Sequence, residues 1–439
     1  MAETADSPQI REVRLAPRSI ARIRHVPAAP PAPEPTPQTA FLDTDDGTLT
    51  RRGLTLSRAE GRDGDWMLTI PQGRQHWALE LPHLRSAPAR PPAALCAVLE
   101  GLTDGRPLQA LPADAVPSDT APDGRRPKRR QQKRSRQKTA TGAEVLTTVL
   151  SAQVEALELW DLRTRLDLPD AVHQLRVTAR SLRSLLKAAK PYLEQEPAER
   201  LGAQLQDLGR ALSAARDAEV TAELLPERAA SLQGLVGETT QDVVHRTAGR
   251  HASAAAATVR QAAGRPEHLE VLREARAFAQ EPPLTKKAAK LSPQQMSDRL
   301  LRRALHRAAE EAARAATDAQ QQELDPAQQQ QRLHSVRKKA KRVRYVAKVL
   351  KTSGFRPSGP VRRMGKRARQ AQDHLGAFLD DAVAAGWLEA NRAELIRGGA
   401  DAYELGLLHG AQIQRVHSGL DDGFRTVESL ADEFGGTSG

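Results

Sequence analysis

The sequence predicts a mainly α-helical protein in which two pseudo-symmetric antiparallel helical bundles, related by an internal duplication, follow a small β-rich domain. Three observations carry that expectation. Only 3% of the residues are aromatic and 39% are hydrophobic, so the cores must be built from Leu, Val and Ala, a composition that favours helix-on-helix packing. Beyond Gly142 apolar residues recur at spacings of three and four, as in Val145, Val149, Ala152, Ala156 and Leu159, with prolines between the periodic stretches. Finally, one basic pattern occurs twice, beginning at His173 and at His334.

Taken in order, residues 1–40 read as a disordered, proline-rich segment, because the run Pro27 to Pro37 can continue neither a helix nor a central strand. Residues 41–113 carry the β-type runs LTLSR, WMLTI and WALEL, separated by Asp-Gly turns as antiparallel hairpins require, and the stretch LCAVLEGLTDGRPLQAL supplies a helix and a further strand. Residues 114–141 form a basic linker: nine Lys/Arg between Arg125 and Lys138, with no acid and no apolar face, predict a disordered segment. The first bundle is expected over 142–281 and the second over 292–430. Their helices are bounded by Pro169, Pro197, Pro226, Pro266, Pro282, Pro293, Pro326 and Pro360, with a last break near Gly398. Short connections make successive helices antiparallel neighbours.

The duplicated pattern is the most informative part of the chain. His173, Arg176, Arg180, Arg183, Lys187 and Lys190 stand at offsets 0, 3, 7, 10, 14 and 17, and His334, Arg337, Lys341, Arg344, Lys348 and Lys351 repeat those offsets. On an α-helix such positions share an arc of about 100° and form a basic stripe about 25 Å long. Leu175, Leu182, Leu185, Leu186 and Ala189 lie opposite the first stripe, and Val336, Val343, Val346, Ala347 and Leu350 opposite the second. An ordinary solvated helix face mixes signs, because like charges at i and i+4 repel by a few tenths of a kcal/mol. These ladders do not: from Arg332 to Arg369 there are 15 Lys/Arg and no acid. A second landmark, Leu212 to Val220 (LSAARDAEV), matches Leu375 to Val383 (LGAFLDDAV) without a gap, which extends the duplication to a whole helical unit. Asp217 and Asp380, at equivalent places in that landmark, read most simply as charge partners or caps near helix ends.

Catalytic readings fare worse. No Ser or Cys sits at a nucleophile elbow with a base and an orienting acid, and the histidines lack neighbouring Asp, Glu or Cys at metal-ligand spacing. Gly359 to Lys366 has one residue too many for a phosphate loop and is followed by Arg367 in place of Ser or Thr. No cofactor is therefore expected. The net charge of +12 and pI near 10.1 attract polyanions without choosing among nucleic acid, membrane and polyphosphate. A lone Cys96 leaves no internal disulfide, the N-terminal stretch MAETADSPQI has no apolar core, and no run approaches the roughly 20 apolar residues that span a bilayer. These features point to the cytoplasm.

Two family resemblances sharpen the reading. Phe41-Leu42-Asp43-Thr44, Leu49, Arg52-Gly53-Leu54-Thr55-Leu56, Arg58, Trp66-Met67-Leu68 and Pro71 resemble the first half of a CYTH domain, over about residues 10–113. That resemblance implies an antiparallel tunnel for triphosphate and divalent metal. Its opening Glu-x-Glu-x-Lys strand is not matched, since Arg11-Glu12-Val13-Arg14-Leu15 has one acid, and the second half of the tunnel is missing. A half tunnel lacks the carboxylates that would hold a metal, so a degenerate, non-catalytic domain is expected. The paired motif His173-x-x-Arg176-x-x-x-Arg180-x-x-Arg183 and His334-x-x-Arg337-x-x-x-Lys341-x-x-Arg344-Tyr345, with Ala215-Arg216-Asp217 and Leu379-Asp380 downstream, resembles a CHAD domain over roughly residues 142–430. This likeness implies a basic central surface that binds inorganic polyphosphate, as a scaffold or on polyphosphate granules. By motif position it singles out His173, Arg176, Arg180, Arg183, His334, Arg337, Lys341 and Arg344. Helical phase adds Lys187, Lys190, Lys348 and Lys351, and Arg210, Lys338 and Lys366 are further candidate contacts. The alternatives are nucleic-acid binding, for which the stripes offer only Tyr345 as a stacking platform, and a metal-dependent triphosphatase in the N-terminal region.

Overall fold

The computed structural model describes residues 10–16, 19–26, 39–59, 66–72, 75–81, 91–112, 141–232, 234–321 and 324–435. The proline run Pro27 to Pro37, the Gly61 to Gly64 turn and the basic run Arg125 to Lys138 lie outside the described residues. Two compact units are present. One comprises the strand region with residues 155–171 and 262–273, and the other holds the remaining helical residues.

The first unit contains seven strands among the described residues: β1 (Ile10–Ala16), β2 (Ser19–Val26), β3 (Thr39–Asp43), β4 (Thr55–Ala59), β5 (Trp66–Gln72), β6 (Gln75–Leu81) and β7 (Gln109–Ala110). They form one sheet in the order β1-β2-β6-β5-β4-β3-β7, with antiparallel neighbours throughout. Helix α1 (Thr48–Arg51) follows β3, and α2 (Ala93–Thr103) precedes β7. The three expected β runs are β4, β5 and β6. By contrast, β1 and β2 fall inside the segment 1–40 that the sequence predicts to be disordered. Buried Ala21 and Ile23 alternate there with exposed Arg22 and Arg24, a period-two signal of only four residues, and pairing with β6 stabilises it.

The core of this unit runs from Ile23, Leu56, Trp66, Leu68 and Leu79 on the sheet to Leu95, Leu99 and Leu102 on α2, and also takes in Leu162, Leu166 and Leu168. The carboxylates on those helical residues are paired. Glu158, fully buried, accepts from Arg52, and Asp161 accepts from Arg165 Nε at 2.7 Å and from His268 Nε2 at 2.5 Å. At Gly101 an added Cβ would stand 2.7 Å from the Asp161 carboxylate, so only glycine permits that approach.

The helical region comprises α3 (Gly142–Arg165), α4 (Ala171–Ala189), α5 (Gln195–Ala230), α6 (Glu238–Ala263), α7 (Pro266–Gln280), α8 (Lys286–Ala289), α9 (Pro293–Gln321), α10 (Pro326–Thr352), α11 (Gly359–Arg397) and α12 (Ala402–Gly435). By the duplicated sequence the stripe helices α4 and α10 are equivalent, as are α5 and α11, which carry the second landmark. The expected apolar faces are buried: Leu175, Leu182 and Leu185 on α4 and Val336, Val343 and Val346 on α10 are all fully inaccessible. Helix α10 opens with a capping box in which Asp325 accepts from the Gln328 backbone and the Gln328 side chain returns to Asp325.

One expected break is absent: Pro226 lies inside α5, which continues to Ala230. Likewise α11 runs unbroken past Asp380 to Arg397, so Asp380 caps no helix. An internal proline removes one backbone bond and crowds the preceding turn, at about 3 kcal/mol. Packing offsets it. The C-terminal halves of α5 and α11 share a core with α6 and α12, built from Leu225, Ala229, Val243, Val244, Leu388, Leu395 and Leu408, where each fully buried leucine contributes about 1.5–3 kcal/mol. The break near Gly398 is present: Gly398 caps α11 and Gly399 takes φ 99°, a left-handed conformation open to glycine.

Candidate polyanion-binding cleft

Because α4 and α10 each bury one apolar face, their basic faces are fixed in direction, and the first part of each stripe meets the other. His173, Arg176 and Arg180 of α4 line a cleft of about 600 Å³ together with His334, Arg337, Lys338, Lys341 and Arg344 of α10. Helices α5 and α11 close it with Arg216, Asp217, Gln372 and Asp380. The lining carries seven Lys/Arg against two carboxylates, counting Arg216 with the stripe residues.

The two halves repeat one charge relay. Arg337 donates from both terminal nitrogens to Asp380 at 3.1–3.3 Å, and the equivalent Arg176 places Nη2 3.9 Å from Asp217. In each pair the arginine side chain is nearly covered, 11% and 15% exposed, whereas the carboxylate is 43% and 55% exposed. The Nε atoms of Arg176 and Arg337 are both buried without an acceptor. Asp217 and Asp380 are thus charge partners, and they sit in the middle of long helices, not at helix ends.

Crowding of like charge shows in the titration of the site. Burial, followed by Arg337, Arg180 and Arg176, pushes Lys341 down to about 7, with Asp380 acting in the opposite sense. Partial burial by the cleft walls, then the charges of Lys338, Arg337, Lys341 and Arg180, pushes His334 down to about 4. His334 is therefore neutral at physiological pH. Burial and then Arg180 also lower the Arg176 guanidinium, which remains charged.

The remaining predicted residues are distributed elsewhere. Arg183, Lys187 and Lys190 line a second groove of about 300 Å³ against the N-terminal part of α5. There Arg183 bonds Gln206, and Lys190 pairs with Glu199 at 3.0 Å. Burial, then the charges of Arg342, Arg183 and Lys339, pushes Lys187 down to about 8. Arg210 is exposed and pairs with Asp207 at 2.8 Å, and Lys348, Lys351 and Lys366 are exposed outside both grooves. The six-rung ladder read from the sequence is therefore divided: a straight helix carries its stripe past the point where the partner helix can face it.

Arg216 and Gln372 line the cleft and were not among the predicted contacts. Arg216 lies beside the duplicated Asp217, which could have drawn attention to it, and is held by Glu219 at 3.2 Å. Gln372 accepts from Arg344 at 2.9 Å, a contact between separate helices that carries no local signal.

Residues 148–389, more than half of the chain, match the model of the CHAD domain. The chain belongs to the CHAD domain family. This family is associated with polyphosphate binding and is in general non-catalytic. Two uncharacterized proteins of Mycobacterium tuberculosis, from strains CDC 1551 / Oshkosh and ATCC 25618 / H37Rv, are each 29% identical over 279 residues, covering 61% of this chain and 49% of theirs. The chain thus spans about half the length of the curated relatives it matches. Among solved structures, PptA from Streptomyces chartreusis shares the fold, with a TM-score of 0.50 and 21% identity over 66% of this chain and all of that one. No helix of the CHAD domain, or of the other described residues, is long and apolar enough to cross a membrane.

Proposed function

We propose that the cleft between α4 and α10 binds inorganic polyphosphate, and that the protein serves as a non-catalytic scaffold in the cytoplasm or on polyphosphate granules. The observation that carries this reading is the convergence of two duplicated cationic faces on one cleft with a large excess of positive charge. Arg and Lys at successive helical turns each supply charge-assisted hydrogen bonds to phosphate oxygens, and a chain with about one charge per unit can engage them in series. No chemical step is needed. Nucleic acid fits the cleft less well, because Tyr345, its one aromatic ring apart from the histidines, is 8% exposed and leaves little ring surface for a base to stack on.

In the sheet, two acidic groups already have structural partners. Asp43 accepts from the backbone N–H groups of Thr44, Leu49 and Thr50, and Glu80 pairs with Arg24 at 2.7 Å. Both contacts favour a non-catalytic N-terminal unit.

A competition assay with polyphosphate, duplex DNA and ATP across salt concentrations, with and without Mg²⁺, tests the proposal. Preferential retention of polyphosphate at physiological salt is expected, with affinity falling as counterions are released. Equal affinity for DNA would overturn it, and metal-dependent phosphate release would restore the triphosphatase reading.

A further inference from the structure

The two carboxylates in the cleft are out of place in a site for a polyanion, and their geometry suggests what they do. Asp217 and Asp380 occupy equivalent positions of the duplicated landmark, pair with the equivalent arginines Arg176 and Arg337, and are the more exposed member of each pair. An anion entering the cleft therefore meets a carboxylate at each of these guanidinium groups. Among the described residues Arg180, Lys338 and Lys341 line the same cleft and have no carboxylate within ion-pair distance. We infer that Asp217 and Asp380 act as a chain-length filter: they suppress binding of short phosphates and leave long polyphosphate favoured. This inference rests on the polyphosphate reading of the cleft.

The physical basis is an exchange of partners. A short anion that engages Arg176 or Arg337 displaces one carboxylate contact for one phosphate contact and faces like-charge repulsion from the displaced group, so its net gain is small. A long chain meets at most these two carboxylates, a penalty that does not grow with its length, and also reaches the other cations of the cleft, each further contact being effectively intramolecular. Selectivity for length thus arises from a fixed repulsion set against a growing number of attractions.

The test compares tripolyphosphate with long-chain polyphosphate by isothermal titration calorimetry at pH 6, where Lys341 is protonated in the wild type. Wild type, D217N/D380N and the charge-retaining D217E/D380E are measured, with circular dichroism as a check of helical content. The ratio of the two dissociation constants should shrink by roughly tenfold in D217N/D380N, through tighter tripolyphosphate binding, and stay near the wild-type value in D217E/D380E. An unchanged ratio in D217N/D380N overturns the filter and leaves polyphosphate binding intact. Weaker binding of both chains in D217N/D380N also overturns it, because the acids would then be props for the arginines. Wild-type protein that binds neither chain overturns the polyphosphate reading itself, and the filter with it.

Discussion

Arg337 and Asp380 form a two-pronged ion pair in which the cation is nearly buried and the anion is not. Asp380→Asn still offers an oxygen to the covered arginine and water screens the exposed end of the pair, whereas loss of Arg337 also removes a packed side-chain stem. Their removal should therefore be unequal. Arg337→Ala is expected to cost about 1–3 kcal/mol through lost packing of the side-chain stem and the broken pair. Asp380→Asn should cost less than about 1 kcal/mol. Urea unfolding followed by circular dichroism measures both, and equal costs would contradict the asymmetry.

Charge reversal at Arg180 and Lys341 removes one unpaired cation from each half of the cleft. R180E/K341E should abolish polyphosphate binding at physiological salt and keep the helical content, since both side chains face the cleft and neither contributes to an apolar core. Binding measured by fluorescence anisotropy at wild-type strength in a folded double variant would reject the cleft as the binding surface.

The pH dependence has a definite sign. Lys341 titrates near 7 in the free protein, and a polyanion bound in the cleft favours its charged form. Binding takes up protons wherever the free protein has lost them, so affinity should fall as pH rises from about 7 to about 9. Calorimetry in buffers of different ionisation enthalpy should show proton uptake near pH 8. Without ligand, the unfolded chain holds a proton on Lys341 between about 7 and its ordinary 10.5 that the folded protein lacks. This group therefore makes the folded state less stable as pH falls through that window, with its full cost reached below about 7.

His334 gives a second pH signature. It is neutral above about pH 5 in the free protein, so His334→Ala should leave affinity at pH 8 nearly unchanged. Near pH 5 a bound polyanion recruits its proton, and the variant should bind measurably more weakly than wild type. A loss of equal size at both values would mean that His334 acts as a neutral hydrogen-bonding group.

Pro226 offers a test of packing against backbone. It sits inside α5 between the buried residues Leu225 and Ala229 of the core shared by the two repeats. Pro226→Ala restores a helical N–H donor and should raise stability by about 1–3 kcal/mol, read as an increase in melting temperature. A decrease would show that the ring itself fills the core.

The sequence by itself determined the mainly helical class, the duplication and the residues of both basic faces, because each is written in a local period: spacings of three and four for the buried sides of α4 and α10, and the matched offsets of His173, Arg176, Arg180 and their counterparts. It also marked Asp217 and Asp380 as equivalent charge partners or caps, without naming the arginines they pair with. Tertiary structure decided the rest. Strands β1 and β2 depend on pairing with β6, and Pro226 is tolerated because Leu225 and Ala229 are buried against the other repeat. Which rungs of each stripe share a cleft follows from how α4 and α10 cross, and that crossing places Lys341 beside Arg180 while carrying Lys187 into another groove. A helix period fixes the direction of a side chain from its own axis, whereas the distance to a charge on a second helix is set only when both apolar faces have found their core.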